Sequence, residues 1–543
     1  MKWTSRASSR LGLCRTLSLF VLVLAVSSCG NPLGDIIAGK IEGVSDTALA
    51  SLSVSLSAGT TFDTVSLVPV FSPEVTEYSV YGDSLVGRAT ITASLDDSEA
   101  KLEWKAGDSA WSALNSGQAS SGIAVSTGTT SISLRVNSES GIKSRTYVID
   151  VIVSAPGTGS PAVLMPSVVQ PTARFGYKVA ISDDGSTLAV AGSQYPCVQV
   201  YEKSGSTWIL AKTLIETGIV YSDGYGYGLA MTRDGSVVVV GAPWLTNGAT
   251  GAGKAYVYRR SGSSWSNCSA AEVLEAPFPA ANDRFGSSVA ISDDGATVII
   301  GANGGLVKAG AAFVFRYESS AWSAGVALPK TVNANNDMFG MSVAISADGS
   351  LAVVGAPVSD APGRAFFYKY SASAWVEVKA WQSTTTSVTN NDFGRAIAIS
   401  KDGHDVFVGA NYATEIAAVS GAVYAFQWDG SSSPTLFKTI LPGDVQASEV
   451  FGWSVWLSGD GNYLAAGSIG RSVAGAANAG AAYVFRNDSG SWTEIRRYQN
   501  PHPVENDQFG IGVCVSDAAS VVAIGVAGRN VNGINSQGLA FVY

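Results

Sequence analysis

Phe285-Gly-Ser-Ser-Val-Ala-Ile-Ser-Asp-Asp-Gly295, then Val298-Ile-Ile-Gly-Ala-Asn303, then Ala311-Ala-Phe-Val-Phe315 and Trp322: this stretch decides the fold. It returns as Phe339-Gly-Met-Ser-Val-Ala-Ile-Ser-Ala-Asp-Gly349, Leu351-Ala-Val-Val-Gly-Ala-Pro357, Ala365-Phe-Phe-Tyr368 and Trp375. Further copies start at Phe175, Tyr225, Phe393, Phe451 and Phe509, a period of 50 to 60 residues. A repeat of that length with strand signals alone marks a propeller or β-solenoid, because each unit needs neighbours to bury its faces.

Each piece of a copy has a physical reading. Val289-Ala-Ile-Ser292 alternates apolar and small residues, as a strand does when one side packs and the other faces a narrow centre. Asp294-Gly295 supplies a tight turn, since Gly reaches positive φ without a steric penalty. Val298–Ile300 is a β-branched run, and Gly301 after it permits close backbone approach. Phe313-Val-Phe315 makes a third strand and Trp322 opens a more polar fourth. Four antiparallel strands make one propeller blade. The copy from Phe509 stops at Phe541-Val-Tyr543, after its third strand. Ala162–Val169 stands before Phe175 as Glu272–Pro277 stands before Phe285, and so can supply the missing fourth. The reading is an all-β chain with a seven-bladed β-propeller over 162–543, closed by 162–169. Closure removes the sheet edges an unclosed array would expose.

These repeats resemble the FG-GAP repeat of integrin α-subunit propellers, and more closely the short variant in bacterial envelope proteins. Calcium-binding copies in that family carry Asp-x-Asp-x-Asp-Gly between the first two strands, which gathers the several oxygens calcium takes. Here the same connection is only Ser182-Asp-Asp-Gly185, Ser346-Ala-Asp-Gly349 or Ser400-Lys-Asp-Gly403, and Ala518-Ala519 in the last copy. The Asp is therefore read as a turn former, and no metal or cofactor is expected.

Lys2, Arg6, Arg10 and Arg15 precede the apolar run Leu17–Val26, the pattern of a secretory signal that is short for a membrane span. Val26-Ser-Ser-Cys29 looks like a bacterial lipobox. That likeness implies cleavage after Ser28, lipid on Cys29 as the membrane anchor and, with Gly30 next, an exported lipoprotein of the outer membrane or cell surface. Residues 1–28 are read as signal peptide and 29–47 as tether. Over 48–154, Leu52-Ser-Val-Ser-Leu56, Ala89-Thr-Ile-Thr-Ala93, Ile132–Val136 and Tyr147–Val153 alternate as the strands of a small β-sandwich. Phe71–Val80 and Arg145–Val151 resemble the cadherin-like β-sandwich of bacterial surface proteins. Ala155-Pro-Gly-Thr-Gly-Ser-Pro161 is the linker between the two domains.

The net charge is −9, and removal of residues 1–28, which hold four basic and no acidic residues, leaves −13. That balance argues against a nucleic-acid partner, which rewards clustered Lys and Arg. Cys197, Cys268 and Cys514 lie in different copies, so no disulfide framework is expected. His404 and His502 are the only histidines and lack ligand spacing, which gives a two-His metal site or a Ser-His-Asp triad little support. There is no Gly-x-Ser-x-Gly elbow and no phosphate-cradling loop. Carboxylates brought together from loops of different blades are left open.

No catalytic residue is assigned, and the chain is read as non-enzymatic. The leading function is a lipid-anchored envelope or cell-surface binding and adhesion protein. The sandwich would act as spacer and the propeller as head for an unidentified protein or glycan. The alternatives are a propeller enzyme acting on carbohydrate at the envelope and a non-catalytic envelope scaffold. Connectivity selects a face. The first-to-second and third-to-fourth turns share one side of a blade and are short, as at Ser261–Ser264 and Ser371–Ser373. The opposite side carries 243–253, 411–420, 469–480 and 527–537, which read as long and irregular, the kind of loop on which recognition sits. Trp244, Asn247, Tyr412, Glu415, Arg471, Arg529 and Asn530 are the candidate ligand surface. Integrin propellers, which the repeat resembles, use the same face.

Overall fold

The computed structural model describes residues 47–57, 63–65, 67, 71–82, 87–126, 128–153, 161–168, 170–262, 264–304, 309–332, 337–357, 363–382, 391–415, 417–501, 503–531 and 534–543. Cys29, the signal segment, nearly all of the tether, Ser154, linker residues 155–160, Val169 and His502 lie outside them. Among the described residues there is no α-helix.

The third copy shows how a blade is made. Phe285–Ile291 pairs with Thr297–Ala302, which pairs with Ala311–Glu318, all antiparallel. The outer position is shared by two short strands, Ala321–Trp322 and Val326–Ala327, both paired to the third. Seven such sheets follow one another around a central channel, their first strands innermost. In the last sheet Phe509–Val515, Val522–Val526 and Leu539–Val542 are completed from the other end of the region. Ala162–Leu164 lies outermost, with Val163 opposite Phe541.

The tight turns are built by side chains rather than by Asp-Gly alone. Ser292 Oγ donates to Asp294 Oδ1 (2.5 Å), and the same oxygen accepts the N–H of Ala296 (2.9 Å). Ser292 Oγ also accepts the N–H of Thr297 (2.9 Å), and Gly295 sits at φ +66°. The pairs Ser182/Asp184, Thr232/Asp234, Ser346/Asp348, Ser400/Asp402 and Ser458/Asp460 repeat this bond. The carboxylate is thus occupied as a turn former. In the last copy Ser516 and Ser520 bond to each other instead, and Ala518 and Ala519 take φ of +57° and +49°.

The Phe-Gly pair does two jobs at once. The aromatic ring, 0–1% exposed in every copy, packs on aromatics of its own blade, as Phe339 on Phe366 at 5.0 Å and Phe451 on Tyr483 at 5.5 Å. Each such ring contributes about 2 kcal/mol by burial, with roughly 1 kcal/mol more from edge-to-face geometry. The glycine lets the blades touch. A Cβ on Gly241 would fall 2.0 Å from the carbonyl oxygen of Gly286 in the next blade; on Gly525 it would fall 1.7 Å from that of Gly176. Backbone rests on backbone between blades, so both partners must lack side chains.

The N-terminal domain is a sandwich of two sheets. Leu49–Ser57 and Arg88–Leu95 form the centre of one; Gly128–Asn137 and Ser144–Val153 form the centre of the other. Leu52, Val54, Ile91, Ile132, Leu134, Tyr147 and Val151 are among the buried residues between them. The alternation in sequence marked these strands, but not Lys101–Ala106, which pairs with Gly128–Asn137 and is polar along most of its length. Glu77–Gly82 joins the second sheet in parallel to Ser144–Val153. Tyr78 ties the Phe71–Val80 segment down, donating to Ser72 O (2.6 Å).

Candidate functional site

The four loops that read as irregular have a common form. In each, an N–H three residues past the second strand's last residue bonds back to it, and a closing glycine bonds to that third residue. Leu245 N–H donates to Ala242 O (3.3 Å) and Gly253 N–H to Leu245 O (3.0 Å). Ala413/Gly421, Arg471/Gly480 and Arg529/Gly538 repeat the second bond at 2.9, 2.9 and 3.0 Å. The closing glycine then bridges to the next Phe-Gly, as Gly253 to Phe285 and Gly538 to Phe175. The loops are long because they reach the neighbouring blade, and that task fixes their shape.

This geometry places the candidate surface residues. Arg471 is 3% exposed, its Nη1 on Glu449 Oε1 (3.0 Å) and its Nη2 on Asp444. Arg529 holds the same place in the next blade and pairs with Asp507, which stands two residues before Phe509 as Glu449 stands before Phe451. Both arginines fasten a loop to the segment entering their own blade. Glu415 accepts the hydroxyl of Tyr424, and Asn530 accepts the N–H of Ser536 (2.8 Å). Trp244 packs edge-on to Tyr227 at 5.1 Å and covers Gly224. Asn247 and Tyr412 are partly buried within their loops. The seven do not converge on one pocket.

The channel does. Its inner strands give it seven residues that directly follow Phe-Gly or Tyr-Gly: Tyr177, Tyr227, Ser287, Met341, Arg395, Trp453 and Ile511. These frame the mouth on the long-loop face, and the cavity beneath has a volume of about 250 Å³. Arg395 stacks on Trp453 at 4.2 Å, and Tyr177 lies 5.1 Å from Tyr227. Lys178 stands one position deeper, and burial, with the charge of Arg395, pushes its amine down to about 8.

The opposite mouth is tied off. The residue after each turn serine or threonine is Asp183, Arg233, Asp293, Ala347, Lys401, Gly459 or Asp517. Asp183 N–H donates to Arg233 O (2.7 Å), Asp293 N–H to Ala347 O and Asp517 N–H to Asp183 O (both 2.9 Å). Arg233 pairs with Asp293 (3.2 Å) and Asp183 (3.6 Å) and reaches Ile399 O (3.5 Å), so it lies across the axis. Burial, then the neighbouring Asp517 and Asp293, raises Asp183 to about 6 against the pull of Arg233. A carboxyl whose folded value lies above its unfolded one stabilises fully only at low pH, and that stabilisation is lost as pH rises through about 6. Asp183→Asn should therefore gain about 1 kcal/mol over the native chain at pH 8 and nearly nothing at about pH 3.5, below the unfolded value. Denaturant melts at the two pH values test this; an equal difference at both would mean that Asp183 is held charged throughout.

Both signals lay in the sequence as variation at a fixed register: over seven blades the residue after Phe-Gly or Tyr-Gly takes six identities, and the residue after the turn serine or threonine takes five. Among the described residues, no three His, Cys, Asp or Glu are placed to hold a metal ion, and no helix is long and apolar enough to cross a membrane. Cys197, Cys268 and Cys514 are free thiols, and Cys197 and Cys514 are buried.

The inward first strands, the glycine contacts between sheets and the closure by Ala162–Leu164 define a β-propeller preceded by a β-sandwich. Within that class the chain carries FG-GAP repeats, matched at 271–315, 330–368 and 435–485, and a cadherin-like beta sandwich domain, matched at 49–154. No curated protein matches the chain. Among solved structures it is similar to the hydrazine synthase of Kuenenia stuttgartiensis, at 13% identity and a TM-score of 0.46 over 70% of this chain and 97% of that one. It is also similar to the β-propeller domain of Myceliophteria thermophila Cps50, at 10% identity and 0.45 over 70% and 99%. A third is the periplasmic gluconolactonase of Pseudomonas aeruginosa, at 15% and 0.42 over 64% and 95%. Likenesses this distant bring no activity to this chain.

Proposed function

We propose that this chain is a non-catalytic binding or adhesion protein of the envelope or cell surface, anchored through Cys29, with the propeller as its ligand-reading head. The observation that carries the reading is the inequality of the two faces. One mouth of the channel is bonded shut across blades by Arg233 and the turn backbones. The other is framed by seven side chains of six kinds on a scaffold whose backbone repeats. A rigid support carrying varied side chains at one end is how propellers and other repeat folds present a recognition surface. The FG-GAP and cadherin-like domains are consistent with a binding role outside the cell.

The test uses the whole chain, immobilised, against a glycan array and extracellular protein fractions. Alanine changes at the long-loop face, at Tyr177, Tyr227 and Trp453, should weaken capture at least tenfold, while changes at Ser261 or Ser371 leave it intact. The reverse pattern would move recognition to the tight-turn face. Turnover of a carbohydrate by the native chain would favour the enzyme reading instead. For the anchor, Cys29→Ala should abolish fatty-acid labelling and release the protein from membranes; continued membrane association would leave the lipid assignment without support.

A further inference from the structure

We propose that the long-loop mouth of the channel binds a small carboxylate-bearing ligand, a single acidic sugar residue of the uronate kind, with its carboxylate between Lys178 and Arg395. The proposal deepens the binding reading and rests on it.

Lys178 comes from the first strand of the first blade and Arg395 from that of the fifth, so both reach the channel from separate sheets, where Lys178 feels the charge of Arg395. Among the described residues neither makes an ion pair. The neighbouring acid, Asp392, is felt by Arg395 but lies outside ion-pair distance. Every other basic group lining this channel has an acidic partner: Arg233 holds Asp183 and Asp293 at the far end. Two like charges facing each other in a partly desolvated cavity are unfavourable, and an anion placed between them relieves both the repulsion and the burial cost. The geometry favours a carboxylate, whose two oxygens can serve the fork of Arg395 and the amine of Lys178 together.

The walls say what the anion is attached to. Tyr177, Tyr227 and Trp453 stand at the mouth with Met341, and they present apolar ring surface beside polar edges. That combination suits the C–H faces and hydroxyls of a sugar ring. At about 250 Å³ the cavity holds one ring, and the Arg233 crossing below prevents a polymer from threading the axis. The ligand is thus a free acidic sugar or the exposed end of a chain that carries one.

Calorimetry on the whole chain tests this with sodium glucuronate, glucose and inorganic phosphate as probes. Glucuronate should bind with Kd below about 1 mM and at least tenfold more tightly than glucose. Lys178→Met and Arg395→Gln should each cost tenfold or more, and Arg395→Lys less. Lys178→Met should melt at or above the native temperature, which separates lost binding from lost folding. The titratable groups facing the cations are Tyr177, Tyr227 and Asp392 at the mouth and Asp183 and Asp293 below. The Lys178 amine loses its charge between pH 7 and 9, so affinity should fall about tenfold over that range. Equal affinity for glucose, undiminished binding by both variants, binding of phosphate without glucuronate, or no heat from any probe overturns the site. Should the array find a ligand at the long-loop rim while glucuronate stays unbound, this site falls and the binding reading stands; if neither binds, both fall.

Discussion

Arg471→Ala should lower the stability of the propeller by about 3–5 kcal/mol, the cost of leaving a buried charge without its partner. Glu449 has no exposed surface and Arg471 almost none, and the two meet at 3.0 Å. Without the guanidinium, Glu449 keeps only the Tyr483 hydroxyl (2.5 Å) and the N–H of Gln446 (2.8 Å), too little to offset a desolvated carboxylate. Tyr483 would feel the loss as well, since burial, and then the charge of Glu449, already hold its phenol above the usual range. A combined Arg471→Ala, Glu449→Gln change should recover a good part of the loss, because it removes the orphaned charge. Denaturant melts of the three variants measure this. A cost under 1 kcal/mol, together with weakened ligand capture, would return Arg471 to the recognition surface.

Gly467→Ala should cost a comparable amount for a different reason. The added methyl would fall 1.8 Å from Gly510 O and 2.5 Å from Ser454 Oγ. Overpacking usually costs about 1–3 kcal/mol because side chains can shift; here the obstacle is the backbone of the next blade, so about 3 kcal/mol or more is expected. Gly461→Ala is the control. Unlike Gly467 it has positive φ, +71°, but nothing lies within 4 Å of the new methyl, so only the conformational penalty of about 1 kcal/mol applies. Equal losses at the two sites would show that the blades move apart to accept the methyl and that the contact is not rigid.

The parts of this protein that repeat were legible, because each repeats for a steric reason that admits few residue types. Phe285 and Gly286 are such a pair: one must fill the blade, the other must be absent from the blade contact. Asp294 was legible as a turn former for the same reason. The ion pairs of Arg471 and Arg529 could not be read from the sequence because their partners, Glu449 and Asp507, lie 22 residues earlier, in the segments leading into Phe451 and Phe509. Loop position and charge suggested exposure; the fold brought counter-ions to both. The channel mouth went unread because Lys178 and Arg395 belong to different blades, and no local spacing joins them.

The pairing of Ala162–Leu164 with Leu539–Val542 has a consequence for synthesis. During translation the outermost strand of the last blade emerges first, and its partner emerges only after six other blades have been made. At the usual pace of elongation that interval is on the order of tens of seconds. The sandwich can fold in that time, since its strands lie close together in sequence, whereas the ring must wait with two unsatisfied edges. A chaperone that shields sheet edges would find its substrate in that interval, and closure would withdraw these two edges from it.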